Sequence, residues 1–318
     1  MKELLHASEF DGFPLDLHLS MVQDRPRMEA FRAALRGLVR PGDTVVDVGS
    51  GTGILALLAW QAGAGRVIAL ERSEIIEPAR RWIAQRYPQA PIEFLRLDVE
   101  REPLPEMQAD VLVCELLGNL GPEERIVPVL NKVSAAMLKP GGQVIPGKVE
   151  LKAVPIQLPK LAQELNAWSA PLAGFDLSVF QELAWQRVYH LQGERFEALA
   201  APATYQQTQW QNTTAQERSS TARFDCTQAG ALHGFACWFE ADLGGGVQLS
   251  SGPEAPLTHW GQVFFPIGPA QEFLPGDTLS FELKREGDEF DVLWGWQGEL
   301  LRSKGERFAF SLETHGSA

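Results

Sequence analysis

The sequence predicts an α/β domain, a parallel sheet with helices on both faces, followed by an all-β, barrel-like domain. Three observations carry this reading. Up to about Pro146 short apolar runs alternate with helical stretches, the rhythm that specifies a parallel sheet covered on both sides. A glycine-rich turn, Gly49-Ser50-Gly51-Thr52-Gly53, joins the first of these strands to a helix. After Lys139-Pro140-Gly141-Gly142 the texture becomes a series of short strands broken by Gly and Pro, which points to a barrel or sandwich. A chain of 318 residues, 45% hydrophobic, is near the practical limit of one core, so two packed domains are expected, residues 1–146 and 147–318.

Taken in order, residues 19–38 read as a helical lead-in. Thr44-Val45-Val46-Asp47-Val48 is an apolar run of strand length, and the glycine turn then opens a helix over 54–62. A second strand, 66–70, ends at Glu71, and a helix follows over 76–86. Residues 91–96 and 109–114 supply the third and fourth strands. In the second half, 144–145 and 149–154 begin the β series. Residues 160–168 form its one clear helical insertion, with Leu161, Leu165 and Trp168 at i, i+4, i+7. No internal repeat appears, and the only low-complexity stretch is Gly244-Gly245-Gly246.

Charge narrows the function. Lys+Arg total 28 against 41 Asp+Glu, a formal net charge of -13. A nucleic-acid binder would need a basic stripe to overcome that field, and none is visible, so cationic substrates are favoured. Cys114, Cys226 and Cys237 lack any CxxC spacing, so neither a disulfide framework nor a metal site is expected. Lys2, Glu3 and Glu9 interrupt the opening stretch, and the apolar runs are too short to span a bilayer. The expectation is a cytoplasmic protein with no membrane association.

Two constellations carry chemistry. In the first, Asp47-Val48-Gly49-Ser50-Gly51-Thr52-Gly53 leaves a strand and opens a helix. Glycines there let the backbone approach a ligand closely, although a tight turn and nothing more would use them too. Glu71, about twenty residues on at the end of the second strand, is placed to accept hydrogen bonds from vicinal ribose hydroxyls. No lysine follows the glycines, which excludes a P-loop, and the spacing departs from G-x-G-x-x-G. In the second constellation, Glu115 leaves the fourth strand and a Gly/Pro loop returns Glu124. Ligands sit at the carboxyl ends of parallel strands, and two carboxylates across a loop can grip a planar cation. Equally, Glu123 and Glu124 could open the next helix and favour its dipole.

The D-x-G-x-G-x-G form resembles the S-adenosyl-L-methionine motif of class I, Rossmann-like methyltransferases. Glu115 and Glu124 resemble the double-glutamate loop of the protein arginine N-methyltransferases, at that family's spacing. Thr258-His259-Trp260 is similar to its Thr-His-Trp loop. The pattern of His18, Met21, Asp24 and Arg27 is similar to the helix lying over its cofactor, and residues 174–178 resemble the close of its dimerisation arm. These pieces occur in order over about residues 16–300.

The resemblance implies an S-adenosyl-L-methionine-dependent methyltransferase acting on arginine in a protein or peptide, and a homodimer built through an arm at about 158–178. Arg27 would pair with the cofactor's methionyl carboxylate. Asp47, Gly49, Gly51 and Gly53 would line its loop, with Glu71 on the ribose and Glu100 near the adenine amine. Glu115 and Glu124 would clamp the substrate guanidinium, with Trp260 packed near it. His259 and Asp24 would pair across the domains, and Met21 would crowd the acceptor nitrogens.

Read alone, several of these residues have plainer uses. His18 and Trp260 fit as core, Met21 as an apolar helix face, and Arg27 as a helix-surface charge. One departure is clear: the family's Tyr-Phe-x-x-Tyr lid element is here Glu9-Phe10-Asp11-Gly12-Phe13-Pro14, with no tyrosine. Two other functions use the same residues. One is methylation of a small-molecule guanidine or amine; the other is a scaffold that binds the cofactor without turnover.

Overall fold

The computed structural model describes residues 14–211, 214–219, 221–287 and 292–314. The altered lid stretch at 9–13 lies outside the described residues. The lead-in is two helices, α1 (Leu15–Gln23) and α2 (Arg25–Leu38), rather than one. The break falls at Asp24, whose carboxylate accepts the Arg27 backbone N–H at 3.0 Å while Pro26 occupies the first turn of α2. An acidic N-cap followed by proline at the helix start is a strong initiation signal.

The first sheet comprises β1 (Thr44–Val48), β2 (Arg66–Glu71), β3 (Ile92–Arg96), β4 (Ala109–Cys114) and β5 (Leu138–Ile145) in the order β3-β2-β1-β4-β5. Every pairing is parallel. Helices α3 (Ile54–Gln61), α4 (Ile76–Arg86) and α5 (Ile126–Met137) connect the strands. Val45, Val46, Val48, Val67, Ile68 and Leu70 have no exposed surface, as expected of strands covered on both faces. The order reverses beside β1, so the ends of β1 and β4 open the crevice where ligands bind in such sheets.

The second half begins with β6 (Lys148–Gln157) and passes into a helical arm. The arm carries α6 (Pro159–Leu165), a 3-10 turn at Asn166–Ser169 and α7 (Val179–Trp185). Helix α7 was not expected from the sequence. Helix α7 is tied to α6 by Gln181, which donates to the Leu165 carbonyl at 2.8 Å, and to the 3-10 turn by Phe180 against Trp168 at 5.3 Å. Strands β7 (Tyr189–Leu191), β8 (Glu197–Ala198), β9 (Ala203–Gln211), β10 (Thr214–Ser219), β11 (Ala222–Asp225), β12 (Gly230–Gly244), β13 (Val247–Ser250), β14 (Gln262–Phe273), β15 (Thr278–Gly287), β16 (Val292–Leu301) and β17 (Arg307–Glu313) complete the chain.

They form an eight-stranded sheet centred on β6-β12-β14 and a four-stranded sheet, β11-β15-β16-β17, both antiparallel. Aromatic rings fill the space between them: Phe235 of β12 stacks on Phe281 of β15 at 4.2 Å, and Phe265 of β14 meets Trp296 of β16 at 5.3 Å. Their pairing adds to what burial alone provides.

Candidate active site

The glycine turn is built for close approach. Gly49, Gly51 and Gly53 have φ of 71°, 50° and 74°, values that side chains with a Cβ rarely tolerate. A Cβ at Gly51 would also sit 3.2 Å from the His18 ring. Glu71 closes on this turn from the end of β2, accepting the Gly51 N–H at 2.9 Å and the Ser73 N–H at 2.8 Å. Thus α1 brings His18 over the glycines, beside Glu71. Burial lowers the His18 pKa, with Arg27 adding to the effect and Glu71 opposing it.

Asp47 lies beneath the turn with no exposed surface, and neither carboxylate oxygen closes a hydrogen bond among the described residues. Desolvation pushes its pKa up to about 7, with Glu71 and Glu115 adding negative charge and the Ala56 amide and Arg27 easing it only in part. An orphaned buried carboxylate asks for a donor or a cation. The adjoining glycine cradle, the Glu71 carboxylate and the buried Arg27 cation fit a ligand with ribose hydroxyls, a carboxylate and a positive centre.

Arg27 and Glu115 meet at the heart of the crevice, both nearly buried. Arg27 donates from Nε to Glu115 Oε2 at 2.9 Å and also from Nη2 to the same oxygen, while Glu115 Oε1 accepts the Leu117 N–H at 3.0 Å. Nη1 donates to the Met21 carbonyl at 3.0 Å and faces the Met28 sulfur. Arg27, expected on the cofactor's carboxylate, is therefore directed at Glu115, one of the two glutamates expected to hold the substrate, and one Nη2 hydrogen is left for a ligand. Met21 contributes its backbone carbonyl to this arrangement.

The loop after Glu115 is a compact reversal, with Gly118 and Gly121 exchanging backbone hydrogen bonds at 2.8 and 3.0 Å. Glu123 turns inward beneath it. A Cβ on Gly118 would lie 2.2 Å from Glu123 Oε2, the same oxygen that takes the Leu120 N–H at 2.8 Å. Burial raises the Glu123 pKa. Glu123 and Glu124 precede α5, which begins at Ile126, so neither lies in its first turn. Glu124 stands at the loop's return, near enough for its charge to act on Cys114 at the end of β4. Arg285 of β15 donates to the Glu123 carbonyl at 2.8 Å, anchoring the loop to the second half of the chain. Glu100, beyond β3, binds Arg125 through both carboxylate oxygens.

The two halves are joined at Asp24 and His259. The His259 backbone N–H donates to Asp24 Oδ2 at 2.8 Å, and its Nδ1 lies 2.7 Å from the same oxygen. Burial works against the Asp24 carboxylate, but the hydrogen bonds from His259 and from the Arg27 amide prevail and hold its pKa below the usual value. An ionised Asp24 calls for the hydrogen on Nδ1 of His259, which orients the ring. Trp260, buried, donates from Nε1 to the Leu117 carbonyl at 2.7 Å, and its ring lies tilted against that of His259 at 4.1 Å. It thereby ties the 258–260 loop to the loop that follows Glu115. Arg125 and Arg285 were not singled out from the sequence, since only tertiary pairing gives them a role, and Glu123 was read there only as a residue that could open the next helix.

Comparison with known proteins gives the family and the fold. A methyltransferase-domain family model matches residues 45–142, and the model of the PRMT5 oligomerisation domain matches residues 152–313. Protein arginine N-methyltransferase 6 of Xenopus laevis is 30% identical over 264 residues, covering 78% of this chain and 77% of its own. The chain belongs to the protein arginine N-methyltransferase family. The arginine N(omega)-methyltransferase of Streptomyces achromogenes subsp. streptozoticus is 26% identical over 298 residues, 90% of this chain and 77% of that protein. In fold, the chain matches a solved Trypanosoma brucei PRMT1 enzyme–prozyme heterotetrameric complex with AdoHcy, at TM-score 0.84 and 22% identity, over 95% of this chain and 99% of that one. As an arginine methyltransferase it is an enzyme that uses S-adenosyl-L-methionine and methylates arginine. Among the described residues no helix is long and apolar enough to cross a membrane.

Proposed function

We propose that the acceptor is an arginine side chain of a protein or peptide, held between Glu115 and Glu124 at the carboxyl end of β4. The observation that carries this is the contact between Arg27 and Glu115. A carboxylate at the end of β4 already accepts two N–H groups of one guanidinium, the chemistry that substrate binding requires. In this reading residues 1–146 hold the cofactor and 147–318 complete the acceptor site.

S-adenosyl-L-methionine supplies the electrophilic methyl group. For the rest, the chain's own residues position and discharge. Arg27, with its remaining Nη2 hydrogen, would meet the cofactor's carboxylate; Asp47 and the glycine turn would line its binding loop; Glu71 would take the ribose hydroxyls and Glu100 the adenine amine. The acceptor guanidinium is protonated and delocalised, hence weakly nucleophilic. Glu115 and Glu124 draw its positive charge toward the nitrogens they bind and aim the lone pair of the remaining one. Orientation and fixed charges of this kind account for much of an enzyme's rate. The proton shed by the methylated nitrogen passes to Glu124 or to Nε2 of the His259–Asp24 pair, and Met21 limits the room around that nitrogen.

The arm supports a homodimer. Phe175, Val179, Phe180 and Leu183 are 69%, 73%, 42% and 44% exposed on it, more apolar surface than a short isolated arm keeps in water. The acidic chain and unpaired cysteines suit a cytoplasmic setting. Mass spectrometry after incubation with labelled cofactor tests the acceptor: a Gly-Arg-rich peptide gains methyl groups on arginine in preference to free arginine. Transfer to free arginine alone would move the acceptor to the small-molecule class.

A further inference from the structure

Directly after Glu124, Arg125 adopts the left-handed region, φ 58° and ψ 19°. Outside glycine that conformation is uncommon and persists where its surroundings fix it. The Arg125 side chain reaches 25 residues back along the sequence to Glu100. Nε lies 3.0 and 2.8 Å from the two carboxylate oxygens, and Nη2 donates to Oε1 at 2.7 Å. Lys132 of α5 adds a second tie, donating to the carbonyls of Glu100 and Glu102 at 3.0 Å each. The loop beyond β3 is thereby fastened, by side chain and by backbone, to the segment that carries Glu124.

The pair is partly exposed, 40% for Arg125 and 22% for Glu100, so it adds little to stability. Its use is directional. A forked guanidinium fixes the plane of the carboxylate it grips, which an ammonium does not. We propose that Arg125 is a positioning residue: it holds the Glu100 carboxylate in the attitude that accepts the adenine amine, and so makes recognition of the cofactor's base depend on the substrate-clamp loop. This rests on the reading of Glu100 as the adenine contact. That amine is a donor, whereas the 6-oxo group of a deaminated base is an acceptor and repels a carboxylate.

The test is calorimetric titration with S-adenosylhomocysteine and with its deaminated counterpart, S-inosylhomocysteine. The proteins compared are the wild type, Glu100→Ala, Arg125→Gly and Arg125→Lys. Glycine suits the left-handed backbone, so Arg125→Gly removes the guanidinium without adding strain. The wild type is expected to prefer the adenosyl ligand by about tenfold or more, the scale of a charge-assisted hydrogen bond. Glu100→Ala abolishes the preference, and Arg125→Gly reduces it to about threefold or less. Arg125→Lys, a point charge without the fork, falls between and still reports if the glycine variant does not fold. A wild type without preference removes the reading of Glu100 and the inference with it. A preference lost in Glu100→Ala but kept or increased in both Arg125 variants overturns the role of Arg125 alone.

Discussion

Asp47 is a carboxylate sealed beneath the glycine turn, where neither oxygen closes a hydrogen bond among the described residues. With its pKa raised to about 7 by burial, the native state holds a proton between about pH 4 and 7 that the unfolded chain has released. The sign follows by linkage: this residue makes the ligand-free protein less stable as pH rises through that window, by up to ~4 kcal/mol, and contributes no further change above it. Asp47→Asn is therefore expected to flatten the descent of unfolding free energy between pH 4 and 7, measured by urea titration. Parallel curves for the two proteins would contradict this. At Gly51 the left-handed φ and the His18 ring exclude a branched side chain. Gly51→Val should weaken S-adenosylhomocysteine binding at least tenfold in a folded protein, and unchanged affinity by calorimetry would remove the turn from the cofactor site. Both residues were legible in the sequence because a strand followed by spaced glycines is a local pattern. Arg125 was not, since a left-handed arginine bound to a distant glutamate leaves no local sign.

At the scale of elements, Asp24 serves two structures with one carboxylate, capping α2 through Oδ1 and holding His259 through Oδ2. Loss of a cap costs about 1 kcal/mol, and an orphaned partner at the domain joint adds to it. Asp24→Ala should thus lower thermal stability more than His259→Ala, which leaves the cap intact; equal losses would separate the cap from the joint. The same carboxylate explains why one expected lead-in helix is two. The parallel strands were readable as apolar runs because helices cover both their faces. Helix α7 was missed because seven residues, Val179–Trp185, are too few to establish a period, and they are held by Gln181, Trp168 and Phe180 rather than by propensity. On the arm, Val179→Asp places a charge at the most exposed of its apolar positions. It should convert a dimer into monomers by light scattering at micromolar concentration, and a wild type that is itself monomeric and fully active would remove the arm from assembly.

The whole molecule brings one crevice together from both halves: α1 and α2 across the glycine turn, β4 and its loop beneath, and β15 with the 258–260 loop behind. Sequence order announced the participants, but the register of the antiparallel strands that delivers His259, Trp260 and Arg285 is set by long-range pairing that no local window contains. In the proposed reading, the union of these parts predicts chemistry that depends on both Glu115 and Glu124. Glu115→Gln and Glu124→Gln keep shape while replacing an acceptor oxygen with a donor that faces the substrate's own donors. Glu115→Gln also weakens the buried pair with Arg27, so its folding is checked by melting temperature before rates are compared. The decisive measurement is single-turnover methyl transfer to a Gly-Arg-rich peptide by the two variants, beside calorimetry of S-adenosylhomocysteine binding. Transfer is expected to fall roughly a hundredfold or more in each, the scale of removing a preorganised polar group, while cofactor-product affinity in Glu124→Gln stays within about threefold. Near-wild-type transfer in both variants would contradict the guanidinium clamp.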